Sequence, residues 1–143
     1  MKHRGVVLVC FLLMAVLVIN IGCSKEKLPG YGGTVQKGTL EVTLWGVGVW
    51  EKSWIDEEII ATNVVIKNIG ERAIDTVDFF ILQDDVVLKH HQYDGLPVGK
   101  SEELLLPFPE DVPLDCSLTL AFESGSSRVE FELAPLETLV IRN

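Results

Sequence analysis

The stretch Ser127-Arg-Val-Glu-Phe-Glu-Leu133 alternates apolar and charged side chains over most of its length. Side chains of a β-strand point alternately to the two faces of a sheet, so this period of two predicts a strand with one apolar and one charged face. Similar alternation or β-rich apolar runs occur at Leu40–Leu44, Ile60–Ile66, Val77–Ile81, Leu104–Leu106 and Leu118–Phe122. No long helical stripe competes with them. The chain is therefore predicted to be all-β.

Turn-forming residues separate these runs, at Ile69–Glu71, Gln83–Asp85, Pro97–Gly99, Pro107–Pro113 and Ser124–Ser127. About seven short strands, each with one apolar face, suit two antiparallel sheets packed face to face. We therefore expect residues 38–143 to form one antiparallel β-sandwich domain, to which Leu136–Ile141 adds either a last edge strand or a strand that leaves to meet a partner.

The N-terminal segment has the pattern of an export signal. Lys2 and Arg4 precede an uncharged apolar run over residues 6–19, and small residues follow it. The Ile21-Gly22-Cys23 end resembles a bacterial lipobox, which implies a covalent lipid on the cysteine. Residues 1–22 are thus expected to be a lipoprotein signal peptide, with Cys23 as the site of lipid attachment.

An uncleaved signal-anchor helix is the alternative. Asn20 stands where a lipobox usually has an aliphatic residue, and residues 5–22 form an 18-residue stretch at the lower limit for crossing a bilayer. Both interpretations keep the basic end in the cytoplasm. Both therefore predict a membrane-anchored, extracytoplasmic protein of the cell surface or periplasm.

Residues 23–37 are predicted to be the lipidated cysteine followed by a flexible tether. The segment from Ser24 to Lys37 contains three glycines and a proline, a composition typical of a spacer. Such a tether would hold the domain away from the bilayer.

The composition is acidic, with 21 Asp and Glu against 12 Lys and Arg and a formal net charge of −9 over 143 residues. Removing residues 1–22 takes away two basic residues and no acidic one, which moves the charge to −11. An acidic surface repels the phosphates of nucleic acid, so we expect no nucleic-acid partner.

No intramolecular disulfide is expected. The three cysteines are Cys10 within the signal, Cys23 at the lipid site and Cys116 in the domain. The neighbours Leu114 and Leu118 have the spacing of a buried strand, which predicts Cys116 to be a small buried apolar residue.

Three segments of the domain resemble a known family. They begin at Asn63-Val-Val-Ile-Lys-Asn-Ile-Gly-Glu-Arg-Ala, at Val77-Asp-Phe-Phe-Ile-Leu-Gln-Asp-Asp and at Gly95-Leu-Pro-Val-Gly-Lys-Ser. This pattern is similar to the CARDB and FxLYD groups of bacterial and archaeal Ig-like domains. The positions that fit it are Asn68, Gly70, Leu96, Gly99 and Ser101.

The resemblance implies an Ig-like fold and a role in surface binding or assembly, without a catalytic residue or a defined ligand. The matching positions have scaffold uses. Gly70 and Gly99 are expected to adopt positive φ at turns, and the Asn68 side chain to bond turn backbone.

All three tryptophans, Trp45, Trp50 and Trp54, fall within ten residues, and Gly46 and Gly48 are expected to bend or bulge the strand that carries them. Exposed indoles would form a binding platform for a peptide segment or a sugar, or would rest on a membrane interface. Buried indoles would instead cap the open end of the sandwich core. The sequence leaves these alternatives open.

No catalytic or metal site is predicted. His90 and His91 are adjacent on a strand, so their imidazoles point to opposite faces and cannot readily share an ion. No nucleophile-elbow, zinc-protease or paired-cysteine motif occurs in the chain. We expect a protein that is not an enzyme and has no cofactor beyond the covalent lipid.

Two functions remain open. The first is a membrane-tethered module for protein–protein interaction, adhesion or envelope assembly, whose partner is an unknown envelope protein bound at a sheet edge or at the tryptophan segment. The second is a lipoprotein that binds a small molecule or a glycan through Trp45, Trp50 and Trp54. The first is favoured because a sandwich of this size fills its own interior.

Overall fold

A computed structural model describes residues 27–52 and 57–140. These described residues contain eight strands and one short helix. The strands are β1 Gly33–Lys37, β2 Leu40–Lys52, β3 Glu57–Asn68, β4 Ile74–Gln83, β5 Val86–Leu96, β6 Ser101–Pro107, β7 Leu118–Ser124 and β8 Ser127–Leu133. The helix, α1, is Leu136–Leu139. No helix among the described residues is long and apolar enough to cross a membrane.

The strands form two four-stranded antiparallel sheets. The first sheet has the order β1-β2-β3-β6, and the second has the order β5-β4-β7-β8. The chain crosses between the sheets after β3, after β5 and after β6. This order is that of an Ig-like sandwich: β2, β3 and β6 take the places of strands A, B and E, and β4, β7 and β8 those of C, F and G. The predicted all-β sandwich is confirmed, with eight strands in place of about seven.

The core lies between the inner faces of the two sheets. Phe122 is fully buried at its centre, 5.0 Å from the ring of Phe79 and 6.3 Å, edge-on, from that of Phe131. Aliphatic side chains from both sheets surround these rings. The fully buried ones include Leu40, Val42, Leu44, Val47, Val64, Ile66, Ile81, Leu120 and Val129. Every alternating run singled out in the sequence contributes to this layer, because one face of each strand is buried.

The expected flexible tether is wrong for its second half. Gly33–Lys37 is strand β1, paired residue by residue with β2 from Gly33↔Leu44 to Lys37↔Leu40. The Thr34 and Thr43 hydroxyls also bond across this pair at 2.8 Å. Glycine-rich composition did not prevent strand formation, because Gly38 supplies the positive φ of a two-residue turn back into β2. The tether residues before 27 lie outside the described residues, as does the signal segment 1–22.

The expected edge strand at Leu136–Ile141 is also wrong. Residues Leu136–Leu139 form α1, which starts after Pro135 and places Leu136 in the core with no exposed surface. Thr138 donates its hydroxyl hydrogen to the Pro135 carbonyl at 2.6 Å. A buried leucine therefore fixes this segment by side-chain packing instead of strand pairing.

One of the two turn glycines has the predicted positive φ, and the other does not. Gly99 has the predicted positive φ of +70°, whereas Gly70 does not have positive φ. Gly70 is needed for space instead, since a Cβ there would lie 2.6 Å from the Thr39 side chain. Asp84 and Asp85, with φ of +47° and +64°, form the two-residue hairpin turn between β4 and β5. Aspartate tolerates this left-handed conformation better than most residues.

Candidate binding surface

A β-bulge in β2 decides where the side chains of the tryptophan segment point. Leu44 pairs with Val64 and Gly46 pairs with Asn63, so Trp45 is inserted between two consecutive pairs. An inserted residue shifts the alternation by one position. Even-numbered residues such as Leu44 therefore face the core before the bulge, and odd-numbered residues face it afterwards.

The bulge is held by glycine and by a buried hydroxyl. Gly46 has a φ of +126°, a backbone angle that residues with a side chain rarely adopt. A Cβ at Gly46 would lie 2.5 Å from the Pro29 carbonyl oxygen, so the close approach also requires glycine. The fully buried Thr62 donates its hydroxyl hydrogen to the Gly46 carbonyl at 3.1 Å. Because that buried carbonyl has a partner, the bulge leaves no unsatisfied acceptor there.

Trp50 lies on the outer face of the first sheet as a result of this shift. Val47 is fully buried on the inner face, and Trp50 is three positions further along the strand. The indole extends over Gly48, where a Cβ would lie 3.0 Å from two of its ring carbons. Trp50 is paired with Ile59 of β3, so an indole and an aliphatic side chain are neighbours on this face.

Trp45 extends the aromatic surface toward the N-terminal segment. Its ring is 5.8 Å from that of Tyr31 at an interplanar angle of 46°, and the Lys27 ammonium lies 4.7 Å from the Tyr31 ring. Trp45 and Trp50 are both half-buried, and neither belongs to the core cluster or to the half-buried apolar side chains packed against it. They therefore do not cap the core. Trp54 lies outside the described residues.

The N-terminal segment covers the first half of the outer edge of β2. The Leu28 N–H donates to the Trp45 carbonyl at 3.1 Å, and the Pro29 carbonyl accepts from the Val47 N–H at 2.8 Å. Within the described residues, no strand or loop bonds this edge beyond Val47. Among residues 27–52 and 57–140, the remaining part of β2 is paired on one side only, with β3.

The β2–β3 hairpin also projects past the neighbouring strand β6. β3 pairs with β6 only from Ala61 to Lys67, and the last bond on that side runs from the Phe108 N–H to the Ile60 carbonyl at 2.9 Å. Under the projecting hairpin is a groove of about 300 Å³. Apolar side chains and three glutamates line it: Val49, Ile59, Ile60, Phe108, Pro109, Val112 and Leu114, with Glu57, Glu58 and Glu110.

Sequence reasoning missed this groove. Its signal is the difference in strand length, since β2 and β3 have 13 and 12 residues whereas β6 has 7. Two long strands beside a short one leave their far ends uncovered. Alternation alone does not reveal this, because the length of a neighbouring strand is set elsewhere in the chain.

The opposite side of the sandwich, where β5 faces β6, is closed by polar contacts. Lys89 donates to the Pro107 carbonyl at 2.8 Å. Burial raises the pKa of the Tyr93 phenol, and the nearby negative charge of Glu102 and the hydrogen bond to it raise that pKa further. These contacts link the two edge strands, so this side offers less open edge than the end of β2.

The histidines and the cysteine of the domain form no shared site. His90 Nε2 lies 2.8 Å from Asp78 Oδ1, and its ring stacks on Phe80 at 4.6 Å. His91, on the other face of β5, lines a second groove of about 200 Å³. Among the described residues there is no cluster of three potential metal ligands.

Cys116 packs against the core as a small apolar residue, but it is only partly buried. It is a half-buried free thiol in the connection before β7, and its neighbour Leu114 is 41% exposed. Leu118, where β7 begins, is buried as expected. The spacing of these leucines therefore did not define a strand across Cys116.

Comparisons with protein-family models, curated proteins and solved structures find no match to this chain. The resemblance to the CARDB and FxLYD groups stays a prediction.

Proposed function

We propose that this protein is a membrane-tethered, extracytoplasmic Ig-like module that binds another protein of the cell envelope. The observation that carries the proposal is the placement of Trp50 on the outer face of the first sheet, beside a stretch of β2 whose outer edge is bonded by no described residue. Outer faces of sandwich sheets are usually polar. Tryptophan is enriched among the residues that dominate protein–protein binding energies.

The anchor belongs to the same proposal. Backbone bonding to β2 begins at Leu28, so only residues 24–27 would separate a lipid on Cys23 from the sandwich. Four extended residues reach about 14 Å. The tryptophan face would then work close to the bilayer, where a partner anchored in the same membrane is at high local concentration.

A protein partner accounts for the charge of this region better than the membrane itself. Glu51, Glu57, Glu58 and Glu110 are all exposed around the projecting hairpin. Carboxylates repel anionic lipid headgroups, which opposes insertion of the hairpin into an anionic surface. A basic protein surface would instead be attracted.

Glycan binding is the second candidate function. The six-membered part of the Trp50 indole lies along Gly48, and a flat aromatic surface of this kind can stack on a sugar ring. This candidate needs only the indoles. It does not use the open edge of β2.

We expect Trp50→Ala to reduce crosslinking of the full-length protein to its envelope partner at least about tenfold, the loss expected when a central tryptophan is removed from an interface. Partners are captured by crosslinking in native envelopes and identified by mass spectrometry. Because the side chain is only half-buried, the free energy of unfolding should fall by about 2 kcal/mol or less. Val86→Ala, at an exposed position on the second sheet, is the matched control and should leave capture unchanged.

Three outcomes contradict the proposal. The first is a large loss of stability with unchanged capture, which would make Trp50 a packing residue. The second is Trp50-dependent binding of the full-length protein to anionic vesicles that contain no other protein. The third is loss of partner capture when cell-wall oligosaccharides are added as competitors, which would favour glycan binding.

A further inference from the structure

We propose that the open edge of β2, from Val49 to Glu51, accepts an extended, basic segment of the partner protein as an added antiparallel or parallel strand. The inference rests on the proposed function and names its binding site and the chemistry of the partner. Strand addition supplies affinity through main-chain hydrogen bonds and specificity through alternating side chains.

The direction of the backbone groups at this edge follows from bonds on both sides of the hairpin. Val47 pairs with Thr62, yet its N–H donates away from β3, to the Pro29 carbonyl. Two positions on, Val49 pairs with Ile60, whose carbonyl accepts from Phe108 on the far side. Both are therefore pairs whose N–H and C=O groups point away from each other.

The N–H and C=O groups of Val49 consequently point to the open edge. The same holds for Glu51 two residues later, because the ladder from Gly46 to Lys52 continues without a further register shift. These two residues present two donors and two acceptors at the spacing that a new strand requires. No described residue bonds to them from that side.

Side chains of an added strand would find a different surface on each face of the hairpin. Val49 is 39% exposed and lines the groove with Phe108 and Leu114, so one set of alternate side chains would enter apolar surroundings. The other set would lie beside Trp50 on the outer face. Both faces of the added strand would thus bury apolar surface.

Charge identifies the occupant as basic. Glu57, Glu58 and Glu110 line the groove and Glu51 lies on the edge, and none of them forms an ion pair with a described residue. A second copy of this chain, docked edge to edge, would bring these glutamates together, which is unfavourable. Lysine or arginine in the added strand would instead pair with them and be attracted over longer distances.

The edges of β8 and β1 lack this combination. β8 alternates Arg128, Glu130 and Glu132 on its outer face, where Arg128 pairs with Glu123 and Glu130. The exposed side chains of β1 are Thr34, Gln36 and Lys37, and a lysine on an edge strand discourages pairing with another strand. An open edge flanked by apolar surface on both faces is found at the end of β2.

The test uses full-length protein in detergent and an octapeptide of alternating lysine and valine as the probe. Val49→Pro removes the outward N–H without removing a bond to β3, since proline is tolerated at such edge positions. We expect it to weaken peptide binding at least about tenfold, the loss that corresponds to about 1.4 kcal/mol. Val49→Thr keeps the N–H and the branched shape, and should bind within about threefold of wild type.

A second probe keeps the test decisive if Val49→Pro does not fold. The same octapeptide with N-methyl groups on alternate amides cannot complete the strand, and we expect wild-type protein to bind it at least about tenfold more weakly. An octapeptide of alternating glutamate and valine should bind more weakly still. Raising the salt concentration should weaken the binding of the lysine peptide but not that of the glutamate peptide.

Several results would overturn the inference. They are equal binding by folded Val49→Pro protein, equal binding of the N-methylated peptide, or equal binding of the glutamate peptide. Self-association that is abolished by Val49→Pro would assign the edge to a second copy. A change in amide exchange at residues 23–26 between wild type and Val49→Pro would assign it to the chain's own tether. Capture of an envelope partner that needs Trp50 but is unaffected by Val49→Pro would reject the edge site and retain the proposed function.

Discussion

Asn68 is the buried polar residue that joins three parts of the fold. Its Nδ2 donates to the Arg72 carbonyl at 2.7 Å and to the Leu96 carbonyl at 3.0 Å, and its Oδ1 accepts from the Gly70 N–H at 2.9 Å. The side chain has no exposed surface. One amide therefore ties the end of β3 to the following turn and to the end of β5. The sequence predicted that Asn68 bonds turn backbone, but not the link to β5.

We expect Asn68→Ala to lower the free energy of unfolding by about 2–4 kcal/mol, because two carbonyls and one N–H near the buried side chain lose their partner. Urea denaturation measures the loss. Asn63→Ala is the matched control on the same strand, since Asn63 donates one bond to exposed Glu103 and its removal should cost less than about 1 kcal/mol. Similar losses in the two variants would show that the Asn68 contacts do not stabilise the fold.

At the scale of elements, the positions of the strands were predictable, but the residues at which they begin and end were not. Each alternating run became a strand, because one buried face requires a period of two. The N-terminal segment from Leu28 to Lys37 was misjudged, since its bonds are made to β2 and a local composition of glycine and proline does not record a distant partner. The bulge at Trp45 was anticipated from Gly46 and Gly48, but its effect on the direction of Trp50 was not.

Gly46→Ala is expected to detach the N-terminal segment from β2. The new Cβ would lie 2.5 Å from the Pro29 carbonyl oxygen and 2.7 Å from the Leu28 Cβ, at a φ of +126°. We expect a loss of about 2 kcal/mol or more in unfolding free energy and faster hydrogen exchange at the Val47 amide, which donates to Pro29.

Gly95→Ala is the control for this prediction. Gly95 has a φ of +79°, but a Cβ there meets nothing within 4 Å. It should cost about 1–2 kcal/mol from backbone strain alone and leave Val47 exchange unchanged. Unchanged Val47 exchange in Gly46→Ala would mean that the segment tolerates the side chain and that glycine is required only for its dihedral angle.

At the scale of the whole molecule, the surfaces proposed for binding lie at one end. The projecting hairpin, the groove beneath it and the half-open edge of β2 all lie near the point where the N-terminal segment joins the sandwich. The proposed lipid at Cys23 would attach to the chain just before that point. Anchoring and binding would then share one end of the domain, which places a partner close to the membrane.

Cys23→Ala is expected to abolish lipid attachment and to release the exported protein from the membrane, because the acyl chains supply the anchoring energy. Labelling of cells with a radioactive fatty acid, followed by fractionation, measures both effects. Cys116→Ala should keep the label and the membrane fraction. A full-length, unlabelled and membrane-bound Cys23→Ala protein would instead support the uncleaved anchor helix.

The sequence by itself determined the all-β class, the approximate strand positions, most of the turns, the acidic charge and the cluster of tryptophans. These properties are local, since alternation and turn chemistry act over a few residues. Only the tertiary structure decided that Trp50 faces outward, that residues from Leu28 onward belong to the sandwich, and that β2 ends in an open edge above a groove. Those properties depend on which strand pairs with which and on how far each partner extends. Such pairing is set by contacts between residues far apart in the chain, which no local pattern encodes.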